Sequence, residues 1–237
     1  MASGSKPKNW PQDIKYLTKP TLSKKLDQTI LGPLGFGSKS NSSGPRFTTA
    51  PSENVAIKKI SDSSHPADGE YGLFATKNLA PGTHILDYLG HYHETSPEDT
   101  DEASNYDLVL TRDVGGTNRG IAIDARFGGN EARMINDYRG VAVKPNAEFK
   151  ERETGIMGVF VVVNNGVKGF KGIKKGEEIL VKTPSLECGC IYCTLSCGIA
   201  EVESRKSALA LALRASQRIT LPCICGEAIV ERSDEIP

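Results

Sequence analysis

The sequence has little of what marks membrane, secreted or nucleic-acid-binding proteins. No run approaches about 18 consecutive apolar residues, so an ordinary membrane-spanning helix is not predicted. The first residues, 1–8, are polar and lack the apolar centre of a signal peptide. Lys plus Arg and Asp plus Glu each number 29, so no charge excess would attract nucleic acid or a membrane surface. We therefore expect an intracellular protein with neither a membrane nor a direct nucleic-acid partner.

Cysteine does not occur before position 188, and all six cysteines are closely spaced after it. In an intracellular protein, this spacing indicates metal ligands more readily than disulfides. Zinc is the candidate, bound by four of the six in a closed structural site, and unligated thiols are the alternative. The candidate ligands are Cys188, Cys190, Cys193, Cys197, Cys223 and Cys225.

The composition changes twice along the chain and so predicts three parts. Residues 1–52 mix Lys, Ser, Gly and Pro, which is typical of a flexible N-terminal tail. Residues 53–184 form the main domain. Residues 185–237 carry the cysteines and an Ala- and Leu-rich stretch at 200–215, which predicts a helix.

The main domain consists of short apolar runs separated by Gly, Pro, Asn and Asp, with no long amphipathic helical pattern. This indicates a mainly β (β-rich α+β) domain built from small sheets. The connection 144–157 carries Asn, Pro and charges, and we expect it to be a surface loop. The predicted strands are 55–60, 72–75, 85–88, 106–110, 121–124, 158–163 and 179–181.

Two separated segments carry a family resemblance. Residues 129–138 read Gly-Asn-Glu-Ala-Arg-Met-Ile-Asn-Asp-Tyr, and residues 176–183 read Gly-Glu-Glu-Ile-Leu-Val-Lys-Thr. They resemble the two signature motifs of the SET domain, a family that transfers a methyl group from S-adenosylmethionine to protein lysines. Further similar segments occur in the family's order, so that the resemblance covers about 57–181: they are 69–75, 88–90, 104–108, 145–146 and 158–161.

The resemblance implies a fold and a function. The fold would be the SET-domain β-clip of small curved sheets, with a pseudoknot between the two signature segments, followed by a divergent Cys-rich post-SET-like segment with its helix. The function would be S-adenosylmethionine-dependent N-methylation of a protein lysine, on a lysine-bearing tail with histones among the candidates. The resemblance would also imply action on chromatin and a localisation in the nucleus rather than in the cytoplasm.

The resemblance also implies roles for individual residues. Transfer from a sulfonium to an amine depends mainly on geometry, because the leaving group is already good. The matching positions for catalysis along the lysine channel are Tyr106, Tyr88 and Phe160. Those for the cofactor are Glu70, Tyr71, Gly72, Tyr106, Asn136 and Asp137.

Three positions depart from the family pattern. Asp137 stands in place of a histidine, Arg139 in place of a cysteine that often binds zinc, and Thr183 in place of the channel tyrosine. Either catalysis is lost, or Tyr106 alone suffices, or Tyr138 or Tyr192 fills the gap. The alternative to an enzyme is a catalytically impaired SET-fold module that binds a lysine-bearing tail or a protein partner.

The four histidines are given no role at this point. His91 and His93 alternate near a predicted strand end, and no further ligand has convincing spacing for a metal site. We expect these two to be a surface pair.

Overall fold

Short strands dominate the part of the chain that the computed structural model describes, which is residues 6–36, 45–47, 51–153 and 155–183. The six cysteines and the predicted helix at 200–215 lie outside the described residues. Within the described ranges, no helix combines the length and apolar character needed to cross a membrane. The strands in chain order are β1 Lys15–Tyr16, β2 Thr21–Leu22, β3 Val55–Lys59, β4 Tyr71–Ala75, β5 His84–Asp87, β6 His91–Glu94, β7 Asp107–Thr111, β8 Ile121–Asp124, β9 Gly128–Gly129, β10 Asn136–Asp137, β11 Ala147–Glu153, β12 Ile156–Val161 and β13 Leu180–Val181; the helices are α1 Gln28–Leu31 and a 3₁₀ helix, Glu131–Met134.

The strands form several small sheets, as the mainly β prediction required. A four-stranded sheet has the order β2-β6-β8-β7, and a three-stranded sheet has the order β11-β12-β5. A β3–β4 hairpin and two parallel pairs, β1 with β9 and β10 with β13, complete the set. Side chains alternate between core and surface along strands such as β7, whose Leu108 and Leu110 are buried. The predicted mainly β fold is confirmed.

The predicted flexible tail is wrong for residues 6–36. β1 pairs with β9 and β2 pairs with β6, while Asp27 caps α1 through bonds to the amides of Thr29 and Ile30. Trp10 and Ile30 are buried in the core of the domain. The Lys, Ser, Gly and Pro content concealed this packing, because the few apolar side chains in the segment follow no regular period.

The connection expected at 144–157 is also different, because it contains β11. β11 pairs with β12, from Ala147 opposite Val161 onward. Ala147 is buried and Phe149 packs on the core, whereas Glu148 and Lys150 are exposed. The apolar side chains of the strand are Ala147 and Phe149 on one face, and its charged residues indicated a loop when read without that alternation.

The pairing of β10 with β13 joins the two signature segments. Asn136 is opposite Leu180, and Asp137 is opposite Val181. Asn146 extends the pairing, because its Nδ2 donates to the carbonyl of Glu178 at 2.7 Å and its Oδ1 accepts from the amide of Leu180 at 2.8 Å. Two segments about forty residues apart in sequence are therefore fixed side by side, as the family resemblance implied.

Candidate functional site

Asn136 is the centre of the site that this pairing creates. Its Nδ2 donates to the carboxylate Oε1 of Glu178 at 2.8 Å and to the carbonyl of Tyr71 at 3.2 Å. The side chain thus connects β10 with β4 and with the segment that leads into β13. Asn136 and Tyr71, both predicted from the sequence, lie together.

Glu178 joins the site from the second signature segment and was not among the predicted residues. Its carboxylate is only 9% exposed, and the second oxygen, Oε2, lies 3.0 Å from Nε2 of His65. Burying a carboxylate is costly unless hydrogen bonds satisfy it, and here each oxygen has one. Neither partner is near Glu178 in sequence, so no local pattern could have revealed the group.

Gly72 makes room for the Glu178 carboxylate. A Cβ at position 72 would lie 2.6 Å from Oε1 of Glu178 and 3.0 Å from the ring of Phe74. The resemblance assigns Gly72 to the cofactor, but the group that approaches it in the structure is a side chain of the same chain. Glu70, two residues earlier, is exposed and its carbonyl accepts from the amide of Ile60.

Asp137 is engaged by its own turn. Oδ1 accepts from the amide of Arg139 at 2.8 Å, and Oδ2 lies 3.3 Å from the Arg139 guanidinium. The two residues that replace the family's histidine and cysteine therefore pair with each other. This turn also brings the amide of Tyr138 within 2.9 Å of the Val181 carbonyl, which is two residues before Thr183. Tyr192, the other tyrosine considered as a substitute, lies outside the described residues.

Tyr106 carries a cation on its ring face. The guanidinium carbon of Arg133 lies 3.7 Å from the ring centre, and Nε of Arg133 donates to the Ala125 carbonyl at 2.8 Å. Arg133 belongs to the 3₁₀ helix that ends just before Asn136, so it connects the Tyr106 region with the Asn136 region. Arg133 belongs to the first signature segment, but the sequence predicted no role for it.

Tyr88 lies in the core, where it supports Tyr106. It is 5% exposed, its hydroxyl donates to the Tyr106 carbonyl at 2.7 Å, and its ring packs edge-on against Phe149. Burial raises the pKa of Tyr88 far above its usual value, so the hydroxyl keeps its proton. Because the Tyr88 hydroxyl donates its hydrogen bond to the Tyr106 backbone carbonyl, Tyr88 holds the start of β7 in place.

Phe160 lies on β12, opposite His84 of β5 in the three-stranded sheet. Its ring centre is 5.0 Å from that of His84, and it is only partly buried. No hydrogen bond or ring contact in the described part of the chain links Phe160 to Asn136 or Tyr106. The structure therefore brings Tyr71, Gly72 and Asn136 together, and Tyr88 with Tyr106, while Phe160 stands on a separate element.

The histidines are more involved than the sequence indicated. His93 is 1% exposed, so the expected surface pair with His91 is wrong for this member. His93 contacts Asp107 at 3.1 Å, and His84 contacts Asp87 at 3.0 Å. In the described ranges, no three His, Cys, Asp or Glu side chains are grouped as a metal site would require.

The chemistry of the group around Asn136 suits the cofactor that the family resemblance implies. Among the described residues no hydrogen bond engages Oδ1 of Asn136, and no buried side-chain oxygen there lacks a partner, so this acceptor is accessible. It can receive a bond from an ammonium or hydroxyl group. The nearby Glu178 carboxylate and the partly exposed Tyr71 ring both favour a positively charged sulfonium. These residues fit S-adenosylmethionine.

A comparison with family models agrees with the resemblance. Residues 70–182 match the family model described as SET domain. Among solved structures, the chain is similar to one described as Chaetomium thermophilum Polycomb Repressive Complex 2 bound to GSK126, at 23% identity and a TM-score of 0.37. The similarity covers 56% of this chain but only 16% of that one, so the chain spans a small part of that protein's length. A search of curated proteins gave no match. The recognition of a SET domain from the two signature segments is thus confirmed for residues 70–182.

Proposed function

We propose that this chain is a protein-lysine N-methyltransferase that uses S-adenosylmethionine. The observation that carries the proposal is the group around Asn136, in which the two signature segments of a SET domain are paired and joined by the Glu178 carboxylate. An accessible acceptor beside a buried carboxylate is suited to a cationic ligand. The other proposed site residues would position the lysine amine and the cofactor for methyl transfer.

When bound, S-adenosylmethionine supplies a methyl group on a sulfonium, which an amine can attack directly. The protein must then hold a neutral lysine amine in line with that methyl group. Tyr106 is the residue proposed to orient the amine, and Tyr88 fixes it through the bond to its carbonyl. Arg133, on the face of Tyr106, repels a second cation and so favours the neutral form of an incoming lysine.

The cofactor side of the proposed site is Asn136 with Tyr71, Gly72 and Glu178. Asn136 offers Oδ1 to the cofactor while Glu178 and the Tyr71 carbonyl hold its amide nitrogen. Asp137 contributes through its backbone and its turn, since its carboxylate is occupied by Arg139. Glu70 and Phe160 stay proposed contacts of the cofactor and of the lysine channel.

The proposed substrate is a lysine-bearing protein tail, with histones among the candidates, and the proposed place of action is chromatin in the nucleus. The proposed zinc ion would be structural and bound by four of the six cysteines after position 187. Metal analysis of the purified full chain tests this, and fewer than about one zinc per chain would contradict it.

Calorimetry with the full chain tests the central proposal. We expect S-adenosylmethionine and S-adenosylhomocysteine to bind, and Asn136→Ala to weaken both by about tenfold or more because an acceptor to a charged group is lost. His91→Ala, on exposed surface of another sheet, serves as the control. No binding by the wild-type chain at about millimolar cofactor, a Kd too weak for function, would rule the proposal out.

A second candidate function is a SET-fold module that binds a lysine-bearing tail or a protein partner without methylating it. The observation that favours it is Thr183, which occupies the position of the channel tyrosine. A threonine has neither the ring that narrows the channel nor the phenol that orients an amine.

A further inference from the structure

The connection between β3 and β4 is tied to the Asn136 group through His65. This connection, residues 60–70, is closed by two backbone hydrogen bonds: the amide of Ile60 donates to the Glu70 carbonyl, and the amide of Gly69 donates to the Ile60 carbonyl. His65 lies in the middle of it, and its side chain is 9% exposed. Its Nε2 is 3.0 Å from Oε2 of Glu178, which is 113 residues away in sequence.

The hydrogen bonds of His65 define its tautomer. The amide of Ala67 donates to Nδ1 at 3.0 Å, so Nδ1 carries no proton. The proton of the neutral ring is then on Nε2, which donates it to Glu178. The other carboxylate oxygen of Glu178 accepts from Asn136, so a continuous series of bonds runs from the connection to the proposed cofactor ligand.

A second contact joins the same connection to the signature segment. Gly140 has a φ of +79°, and a Cβ there would lie 2.7 Å from the ring of Pro66. Pro66 therefore rests against the turn that follows Asn136 and Asp137. Two adjacent residues of one connection contact both sides of the β10–β13 pair, His65 through Glu178 and Pro66 through Gly140.

We propose that His65 is a positioning residue for the cofactor site: it fixes Glu178, and through Glu178 the side-chain amide of Asn136, while it latches residues 61–69 over the β10–β13 pair. His65 lies outside residues 70–182, the part that matches the family. The match to the family therefore assigns His65 no role. Its effect on catalysis rests on the proposed function, whereas the latch itself does not.

The latch has a specific kinetic consequence. Without the Nε2 donor, the Glu178 carboxylate loses one of its two side-chain hydrogen bonds and can rotate away from Asn136. The cofactor would then meet a site that must first be ordered, which lowers its apparent affinity. The transfer step, once the cofactor is seated, uses Tyr106 and its neighbours and should change little.

Three substitutions at position 65 separate the donor from the volume of the ring. His65→Phe keeps the ring and removes the donor, His65→Gln keeps a donor on a flexible chain, and His65→Ala removes both. We expect His65→Phe and His65→Ala to raise the KM for S-adenosylmethionine about tenfold, because a hydrogen bond to a charged group is lost. His65→Gln keeps a donor, and its KM should stay close to that of the wild type. The kcat should stay within about twofold in all three. His91→Phe, a histidine on exposed surface, is the matched control.

Two measurements on the full chain without cofactor test the latch independently of activity. Nitrogen-15 NMR of the wild-type ring should show the Nε2–H tautomer of His65. Amide exchange at Ala67 and Glu70 should become about tenfold faster in His65→Phe, with global unfolding less affected.

The outcomes distinguish this inference from the proposed function. An Nδ1–H tautomer, or unchanged exchange at Ala67 in His65→Phe, would overturn the latch even if the cofactor binds. An altered exchange in a chain that binds no cofactor would leave the latch standing and remove the methyltransferase. A KM unchanged by His65→Phe in an active enzyme would overturn the positioning role.

Discussion

At the scale of single residues, the site depends on contacts between positions far apart in the chain. Asn136, Tyr71 and Gly72 were predicted because they fall in ordered motifs that resemble a family. Glu178 belongs to one of those motifs as well, but only the folded chain shows that its carboxylate joins Asn136 to His65. His65 follows no motif, and its partner is 113 residues away, so the sequence had no signal for it.

The residue-scale prediction concerns Thr183. If the rest of the site is intact, Thr183→Tyr restores the ring and the phenol and should raise the methylation rate about 10- to 100-fold, as a positioning group does. The measurement is transfer of labelled methyl groups to a mixture of histones and peptides. Thr183→Phe, which has the ring without the hydroxyl, should give a smaller gain. No gain in a chain that binds the cofactor would favour the non-catalytic module.

At the scale of elements, the sequence predicted the apolar strands and missed those with charged faces. Each of the seven predicted strands overlaps a strand of the structure, because continuous apolar runs are a strong signal. β11 was missed because its exposed positions carry Glu148 and Lys150. β1, β2 and β9 are two residues long, too short for any period to appear.

The N-terminal segment should behave as part of the domain. Trp10 is buried, donates its indole N–H to the Ile14 carbonyl at 2.7 Å and packs edge-on against Tyr16. Trp10→Ala should lower the free energy of unfolding by about 3–5 kcal/mol, since it leaves a large cavity. Urea denaturation measures this. Leu22→Ala, in the same segment but 38% exposed, should cost less than about 1 kcal/mol, and equal losses would contradict this assignment.

At the scale of the whole molecule, His93 and His91 have opposite effects on how the free energy of unfolding changes with pH. Burial lowers the pKa of His93, but its bonds to Asp107 and to the Glu94 carbonyl outweigh this and raise it above 6.5. Both ring nitrogens face acceptors, so the folded protein binds the charged form. Partial desolvation of its ring, and then the charge of His93, lower the pKa of His91, which is otherwise exposed.

The direction in which each histidine changes stability with pH follows from the linkage between folding and proton binding. Because the pKa of His93 is raised on folding, its contribution to stability is complete below about 6.5 and is lost as pH rises through the higher folded value. His91 has the reverse shift, so its contribution is complete above about 6.5 and falls as pH drops. Urea unfolding between pH 5 and 9 should show that His93→Gln removes part of the alkaline loss and His91→Gln part of the acid loss. The same profile in both variants would refute the assignment.

The attachment of the first residues also affects how the chain is made. Tyr16 bonds to Glu131, 115 residues later, and β1 finds its partner only in β9. At ribosomal rates of about 5–20 residues per second, the segment waits on the order of ten seconds before that partner emerges. During this time Trp10, Leu26 and Ile30 lack part of the core that buries them in the finished domain. Residues 15–16 therefore join the domain only after β9 has been made, and the β10–β13 pair forms later still.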